Sequence, residues 1–96
     1  MARYVVLIRF TDQGARTLKK STSRAREFVK AAQKTGVTVE TQLWTAGAWD
    51  GVLVLSGDPK KIIGRLTQLA SQGNVRTQTL QAFDAVEFEA LASAKT

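Results

Sequence analysis

The chain has 96 residues, of which 44% are hydrophobic, and a formal net charge of +6. This length suits one domain and not two, and no apolar run approaches the roughly 20 residues that a membrane-spanning helix requires. Cysteine and histidine are both absent, which excludes disulfides, thiol catalysis, a Ser-His-Asp triad and a histidine-bound metal.

A strand-like pattern begins almost at the first residue, so we expect no signal peptide and a cytoplasmic protein. We expect one domain over residues 1–92, a frayed tail over residues 93–96, and neither a cofactor nor a metal.

The first half of the chain predicts a strand, a turn, a helix and a second strand. Residues 3–10 are rich in β-branched and aromatic residues and are apolar on both faces at their centre, which is typical of a central strand. Thr11-Asp12-Gln13-Gly14 favours a turn, and from about residue 21 to 35 apolar residues recur at helical spacing. Residues 37–44 alternate in polarity and predict a half-buried strand. The alternation assigns Val37, Val39, Thr41 and Leu43 to the core face and Thr38, Glu40, Gln42 and Trp44 to the other face.

The second half begins with a strand and a well-marked helix. Residues 49–56 are apolar on both faces, so this strand is predicted to be central as well. Asp58 suits an N-cap and Pro59 the first helical position, while Gly73 is placed to end the helix. The predicted buried stripe of this helix consists of Ile62, Ile63, Leu66, Leu69 and Ala70.

The chain is predicted to end with a strand and a short helix. Residues 74–83 predict the strand, and Asp84 with Glu87 has the spacing of a capping box. We expect the helix that follows to bury Phe88 and Leu91.

This β-α-β-β-α-β order predicts a ferredoxin-like α+β fold. We expect a four-stranded antiparallel sheet in the order 4-1-3-2, with both main helices on one face. Val5 and Leu7 then lie on the open face, and an apolar patch of this kind is rare on a monomer. The simplest solution is a homodimer or higher oligomer that associates sheet to sheet; the alternative is a monomer with a cleft on that face.

Three segments of the chain resemble the GYD-domain family of small, mostly uncharacterised proteins. They are Thr11-Asp12-Gln13-Gly14, Trp44-Thr45-Ala46-Gly47-Ala48-Trp49-Asp50 and the stretch from Gly73 to Phe83. The resemblance implies a dimeric α/β-barrel type of assembly, in which two sheets close against each other. It implies no particular reaction, and Trp49 stands where the family motif has tyrosine, so no role of a phenol hydroxyl is carried over.

The open sheet face is the first candidate site. The alternation places Arg9, Glu40, Gln42 and Trp44 there, and a buried Arg9 would need a carboxylate or a ligand anion, with Glu40 as the predicted partner. One interpretation is an interface ion pair with Trp44 as packing. The other is a pocket for a small anionic or aromatic ligand.

A loop cluster is the second candidate site. It combines the turn at residues 11–14 with Trp49 and Asp50, and it can bring Asp12 close to Asp50. Two neighbouring carboxylates can bind a cation or act in acid–base chemistry. The alternative is that these residues only form turns.

A basic segment between residues 16 and 34 is the third candidate site. It contains seven basic residues and one acidic residue, and it places positive charge near the predicted helix N-terminus, where a bound anion would relieve the repulsion. The candidate anion-binding residues are Lys19, Lys20, Arg24 and Arg26. The alternative is a solvated helix face. Nucleic acid is a disfavoured partner because Phe28 belongs to the apolar stripe of the helix and falls outside the charged patch.

Three hypotheses follow. The first is a homo-oligomeric binding or regulatory domain that holds a small ligand on its open sheet face. The second is a cofactor-free oxygenase-like or isomerase-like enzyme, by analogy of fold. The third is a polyanion or nucleic-acid binder.

Overall fold

The computed structural model describes residues 2–94 and contains one four-stranded antiparallel sheet. The strands are β1 (Ala2–Phe10), β2 (Thr38–Trp44), β3 (Gly51–Gly57) and β4 (Val75–Ala82). Their order is β2-β3-β1-β4, which is the predicted order read from the opposite edge. The predicted ferredoxin-like arrangement is therefore confirmed, with β1 and β3 at the centre.

Two long helices, α2 (Ser21–Lys34) and α3 (Pro59–Ser71), pack on one face of this sheet. An apolar core lies between the helices and the sheet. Every second residue of the strands and the apolar stripe of each helix face each other there. Its buried residues are Val6, Ala32, Val37, Leu53, Leu55, Ile62 and Leu66. In α3 the predicted stripe is narrower than expected, since Ile63 and Ala70 are exposed.

Both predicted helix starts on the second half of the chain are confirmed. The Asp58 carboxylate accepts a hydrogen bond from the Lys60 amide at 3.2 Å, with Pro59 in the first turn of α3. At α4 (Ala85–Ala92) Asp84 accepts from the Glu87 amide at 2.8 Å, and the Glu87 side chain accepts from the Asp84 amide at 2.9 Å. The capping box therefore satisfies amides that the helix itself leaves free.

The predicted turn after β1 is a short helix, α1 (Asp12–Arg16), followed by a single 3-10 turn over Leu18–Lys20. The Thr11 hydroxyl caps α1 by accepting from the Gly14 amide at 3.1 Å. Gly14 is buried, and a Cβ on this residue would clash with the Asn74 carbonyl oxygen. The segment thus packs tightly on the loop that precedes β4.

A β-bulge in β2 changes the predicted face of its second half. Val39 lies opposite Leu55 and Thr41 opposite Val54, so Glu40 is an extra residue in the pairing with β3. One extra residue inverts the alternation beyond it, because side chains repeat every two residues. The assignment of Gln42 and Trp44 to the open face was therefore wrong: both lie on the helix side, and Leu43 lies on the open face.

The final helix, α4, corrects another prediction. Phe88 is 62% exposed and Leu91 53% exposed, although both were expected to be buried. Within residues 2–94, α4 packs closely on no other element, and its N-terminal turn is held by an ion pair of 3.6 Å between Arg3 and Glu87. The radius of gyration is 14.6 Å, larger than the about 12.5 Å of a compact chain of this length. The helix thus extends away from the domain.

Among the helices of residues 2–94, none is long and apolar enough to cross a bilayer. The frayed tail expected over residues 93–96 stays a prediction, because residues 95 and 96 lie outside the described part of the chain.

Candidate functional site

The open face of the sheet has an apolar centre that no described element covers. Val5 lies opposite Val54 and Leu80, and Leu7 lies opposite Val52, so these side chains share one face. The bulge adds Leu43, which is 56% exposed. The prediction that Val5 and Leu7 lie opposite the helices is confirmed, and the patch continues to both edge strands.

The charged residues of this face pair differently from the prediction. Glu40 accepts a hydrogen bond from Arg3 Nε at 3.3 Å and does not pair with Arg9. Arg9 instead donates to the Ala48 carbonyl oxygen from Nε and Nη2, at 3.2 and 2.9 Å, and its guanidinium lies 4.5 Å from the centre of the Trp49 ring. The antiparallel register explains the difference, because it brings the start of β2 to the Arg3 end of β1.

The local hydrogen bonds perturb the Glu40 carboxyl. The Ser56 hydroxyl, and next the Arg3 guanidinium, lower the pKa of Glu40 because both favour its ionised form. Arg3 also pairs with Glu87 at 3.6 Å, so one guanidinium connects the edge of the open face with the start of α4.

On the other side of the sheet, a cleft lies between the strands and the helices α2 and α3. Its walls are largely apolar, and its volume is about 70 Å³. The apolar lining includes Ile8, Phe10, Phe28, Leu69 and Val75. Gln42 and Trp44 also line it, so the bulge moves these two predicted site residues into the cleft. The Trp44 indole donates to the Ser21 hydroxyl at 2.9 Å and thereby fastens β2 to the start of α2.

The cleft contains a cation and an anion. Arg24 donates from Nη1 to the carbonyl oxygen and hydroxyl of Thr17, at 3.1 and 2.9 Å. Its Nη2 is buried and has no hydrogen-bond partner among the described residues. The Asp50 carboxylate accepts a hydrogen bond from the Phe10 amide at 2.9 Å.

The predicted anion-binding group is divided by the fold. Arg24 lies partly buried on the cleft, whereas Lys19, Lys20 and Arg26 are exposed. The only property that these four residues share is their charge. The spacing of Arg24 distinguishes it from the others. It precedes Phe28 by four residues and therefore shares the face of α2 that carries Phe28.

The second predicted cluster is also divided. Asp12 begins α1 and is exposed, Asp50 lines the cleft, and Trp49 lies beneath Arg9. Within residues 2–94, no three acidic side chains come together in a group that could hold a metal.

The three segments that resemble a known family meet at this end of the molecule. The Thr11 hydroxyl donates to the Gly73 carbonyl oxygen at 2.6 Å, and Gln13 Nε2 donates to Asn74 Oδ1 at 2.9 Å. The Asp50 amide donates to the Ile8 carbonyl oxygen at 2.8 Å. These contacts hold the loops that border the cleft.

Comparison with known proteins identifies the family. The GYD domain model matches residues 4–92. The chain belongs to the GYD domain family. A relative from Thermus thermophilus, named glutamine synthetase and cystathionine beta-lyase binding protein, is 36% identical over 84 residues, which are 85% of this chain and 88% of the relative. No solved structure shows significant similarity.

Membership in the GYD family confirms the resemblance of the three segments. In this GYD domain, Trp49 replaces the tyrosine of the family motif. Its ring contacts the Arg9 guanidinium through a cation–π interaction. A phenol hydroxyl is not needed for that contact.

Proposed function

We propose that this GYD protein is a homo-oligomeric binding protein that regulates an enzyme of amino-acid metabolism, with glutamine synthetase as the first candidate partner. The observation that carries the proposal is the uncovered open face of the sheet. The relative's name supplies the class of partner.

The open face and α4 each leave apolar residues uncovered. Val5, Leu7, Val52 and Val54 make its centre, and the ion pair between Arg3 and Glu87 brings α4 to its edge. The exposed apolar residues of α4 are Val86, Phe88 and Leu91. Soluble monomers rarely leave apolar patches of this kind to water, and a second copy related by a two-fold axis would cover the open face with an identical sheet.

The composition of the chain supports binding in preference to catalysis. Histidine and cysteine, the residues that most often provide a general base or a thiol nucleophile, are absent. A protein without these two residues acts on metabolism most simply by binding an enzyme that performs the reaction. The relative, named for binding two enzymes, supports the same conclusion.

The oligomeric state is tested with a charge on the open face. Light scattering coupled to size exclusion should give an oligomer for the wild type and a monomer for Leu80→Asp, because the carboxylate would be buried without a partner. Ile63→Asp is the matched control, since Ile63 is similarly exposed but lies on α3. A wild type that stays monomeric at micromolar concentration contradicts the proposed assembly.

The partner is tested with purified glutamine synthetase and, in a second experiment, cystathionine β-lyase from the same organism. We expect a complex by biolayer interferometry with at least one of them, and a change in its activity. The Leu80→Asp variant then shows whether the oligomer is required. If neither enzyme binds at micromolar concentrations, the regulatory proposal fails.

A further inference from the structure

The cleft beneath the helices contains an incompletely satisfied cation. Arg24 uses Nη1 for its two hydrogen bonds to Thr17, while the buried Nη2 has no partner among residues 2–94. A buried charged donor without an acceptor is costly, and proteins usually supply an acceptor from a side chain, a water or a ligand. Within the described chain, the ion pairs involve Arg3 and do not involve Arg24.

An anion lines the same cleft without pairing with this cation. The Asp50 carboxylate is held by the Phe10 amide at 2.9 Å, and no nitrogen of Arg24 lies within 4.0 Å of it. Opposite charges therefore line one largely apolar cleft, Arg24 from α2 and Asp50 from the position just before β3. A ligand that carries both charges can satisfy the two groups together.

The residues that line the cleft indicate the size and polarity of the ligand. Phe10, Phe28 and Leu69 provide apolar contact, and the Gln42 amide adds one neutral polar group. The volume of about 70 Å³ admits only a small molecule, and a neighbouring groove of about 550 Å³ shares Phe10, Ser21, Trp44 and Asp50 with the cleft and provides a route of entry.

We infer that this cleft binds a free α-amino acid, with the ligand carboxylate on Arg24 and its ammonium group on Asp50. A guanidinium binds a carboxylate through strong charge-assisted hydrogen bonds. This site lies on the opposite side of the sheet from the proposed protein-binding surface, and ligand binding by the isolated protein does not depend on any enzyme partner.

The experiment uses calorimetry on the purified full chain with the twenty common L-amino acids, each at millimolar concentration. The amino acid that binds is then compared with its des-amino acid, which lacks the ammonium, and with its amide, which lacks the carboxylate. We expect both analogues to bind more weakly. No heat with any of the twenty amino acids, or equal affinity for the des-amino acid, overturns the inference.

Variants test the two charged groups. Arg24→Gln should weaken binding on the order of ten- to a hundred-fold, because a charge-assisted bond is replaced by a neutral one. Arg26→Gln removes the same charge from the exposed face of α2 and should bind as the wild type does. Asp50→Asn, which can still accept from the Phe10 amide, should weaken binding of the amino acid but not of the des-amino acid. Unchanged binding by Arg24→Gln overturns the assignment.

A measurement on the wild type covers the case in which Arg24→Gln does not fold. In proton–nitrogen NMR spectra, the bound amino acid should shift the Trp44 indole signal and the Gly51 amide signal. Shifts confined to the open face, for example at Val54 and Leu80, would overturn the proposed location.

Discussion

At the scale of single residues, a few close contacts position the cleft. Gly14 and Asn74 approach so closely that the backbone of α1 touches the loop before β4. The side chains of Thr11 and Gln13 reinforce this contact with hydrogen bonds to the same loop. The loop geometry on this side of the cleft thus depends on a residue without a side chain.

Gly14→Ala should therefore lower the free energy of unfolding by about 1–3 kcal/mol, because the added methyl group overpacks against a backbone carbonyl. For a domain of this size each kcal/mol lowers Tm by about 4–8 °C. Gly64→Ala is the control, since a Cβ at that helical position meets nothing within 4 Å. It should raise stability by about 0.5–1 kcal/mol, and chemical denaturation measures both. A Gly14→Ala protein as stable as the wild type would contradict the close contact.

Glu40 offers a second test at this scale. Its pKa should lie below that of an ordinary glutamate and should rise in Ser56→Ala and, by a smaller amount, in Arg3→Gln, as measured by carbon-13 NMR titration. Since the pKa is lower in the folded than in the unfolded chain, the stabilisation is present above the unfolded value and is lost as the pH falls through the folded value. A Glu40 pKa that does not respond to either substitution would show that these hydrogen bonds do not form.

At the scale of elements, β2 is the strand that depends most on its neighbours. Its bulge directs Leu43 to the open face and Trp44 to the helices. The strand itself is predictable, because alternation is a local pattern. The bulge is not, since the extra residue Glu40 is defined only by the pairing with β3.

Leu43→Ala tests the bulge. In the Leu80→Asp background, which removes any effect of association, we expect a change in unfolding free energy within about 0.5 kcal/mol, as for an exposed residue. Leu53→Ala, at a buried position of the core, should cost about 2–5 kcal/mol. If Leu43→Ala costs as much as Leu53→Ala, then Leu43 is a core residue and β2 has no bulge at Glu40.

Other elements show where prediction from sequence succeeds and fails. The N-caps Asp58 and Asp84 are predictable because a cap and its amide lie within three residues of each other. The helix α1 is not, because its glycine suggests a turn, whereas here the glycine permits close packing. For α4, the apolar residues predicted burial, but Phe88 and Leu91 are exposed, because a sequence does not show whether a helix packs on its own domain.

At the scale of the whole molecule, the sheet separates two surfaces with different chemistry. The helix side carries the core and the cleft with Arg24 and Asp50. The other side carries the apolar face proposed for association. The core is small, with seven buried apolar residues among residues 2–94, so covering the open face would add substantially to stability.

The melting temperature should therefore rise with protein concentration, because an oligomer is stabilised by mass action. Differential scanning calorimetry from about 5 to 500 µM measures this effect, and the Leu80→Asp protein should show no such dependence. A wild-type Tm that is constant over this range would indicate that the domain is stable as a monomer.

The bulge at Glu40 also has a practical consequence. Because Leu43 and Trp44 are adjacent in sequence but face opposite sides of the sheet, they can serve as two independent spectroscopic reporters. A methyl signal from Leu43 would follow association, while the indole signal of Trp44 would follow occupancy of the cleft. One labelled sample would then show, during a single titration, whether events on the two sides of the sheet occur together or separately.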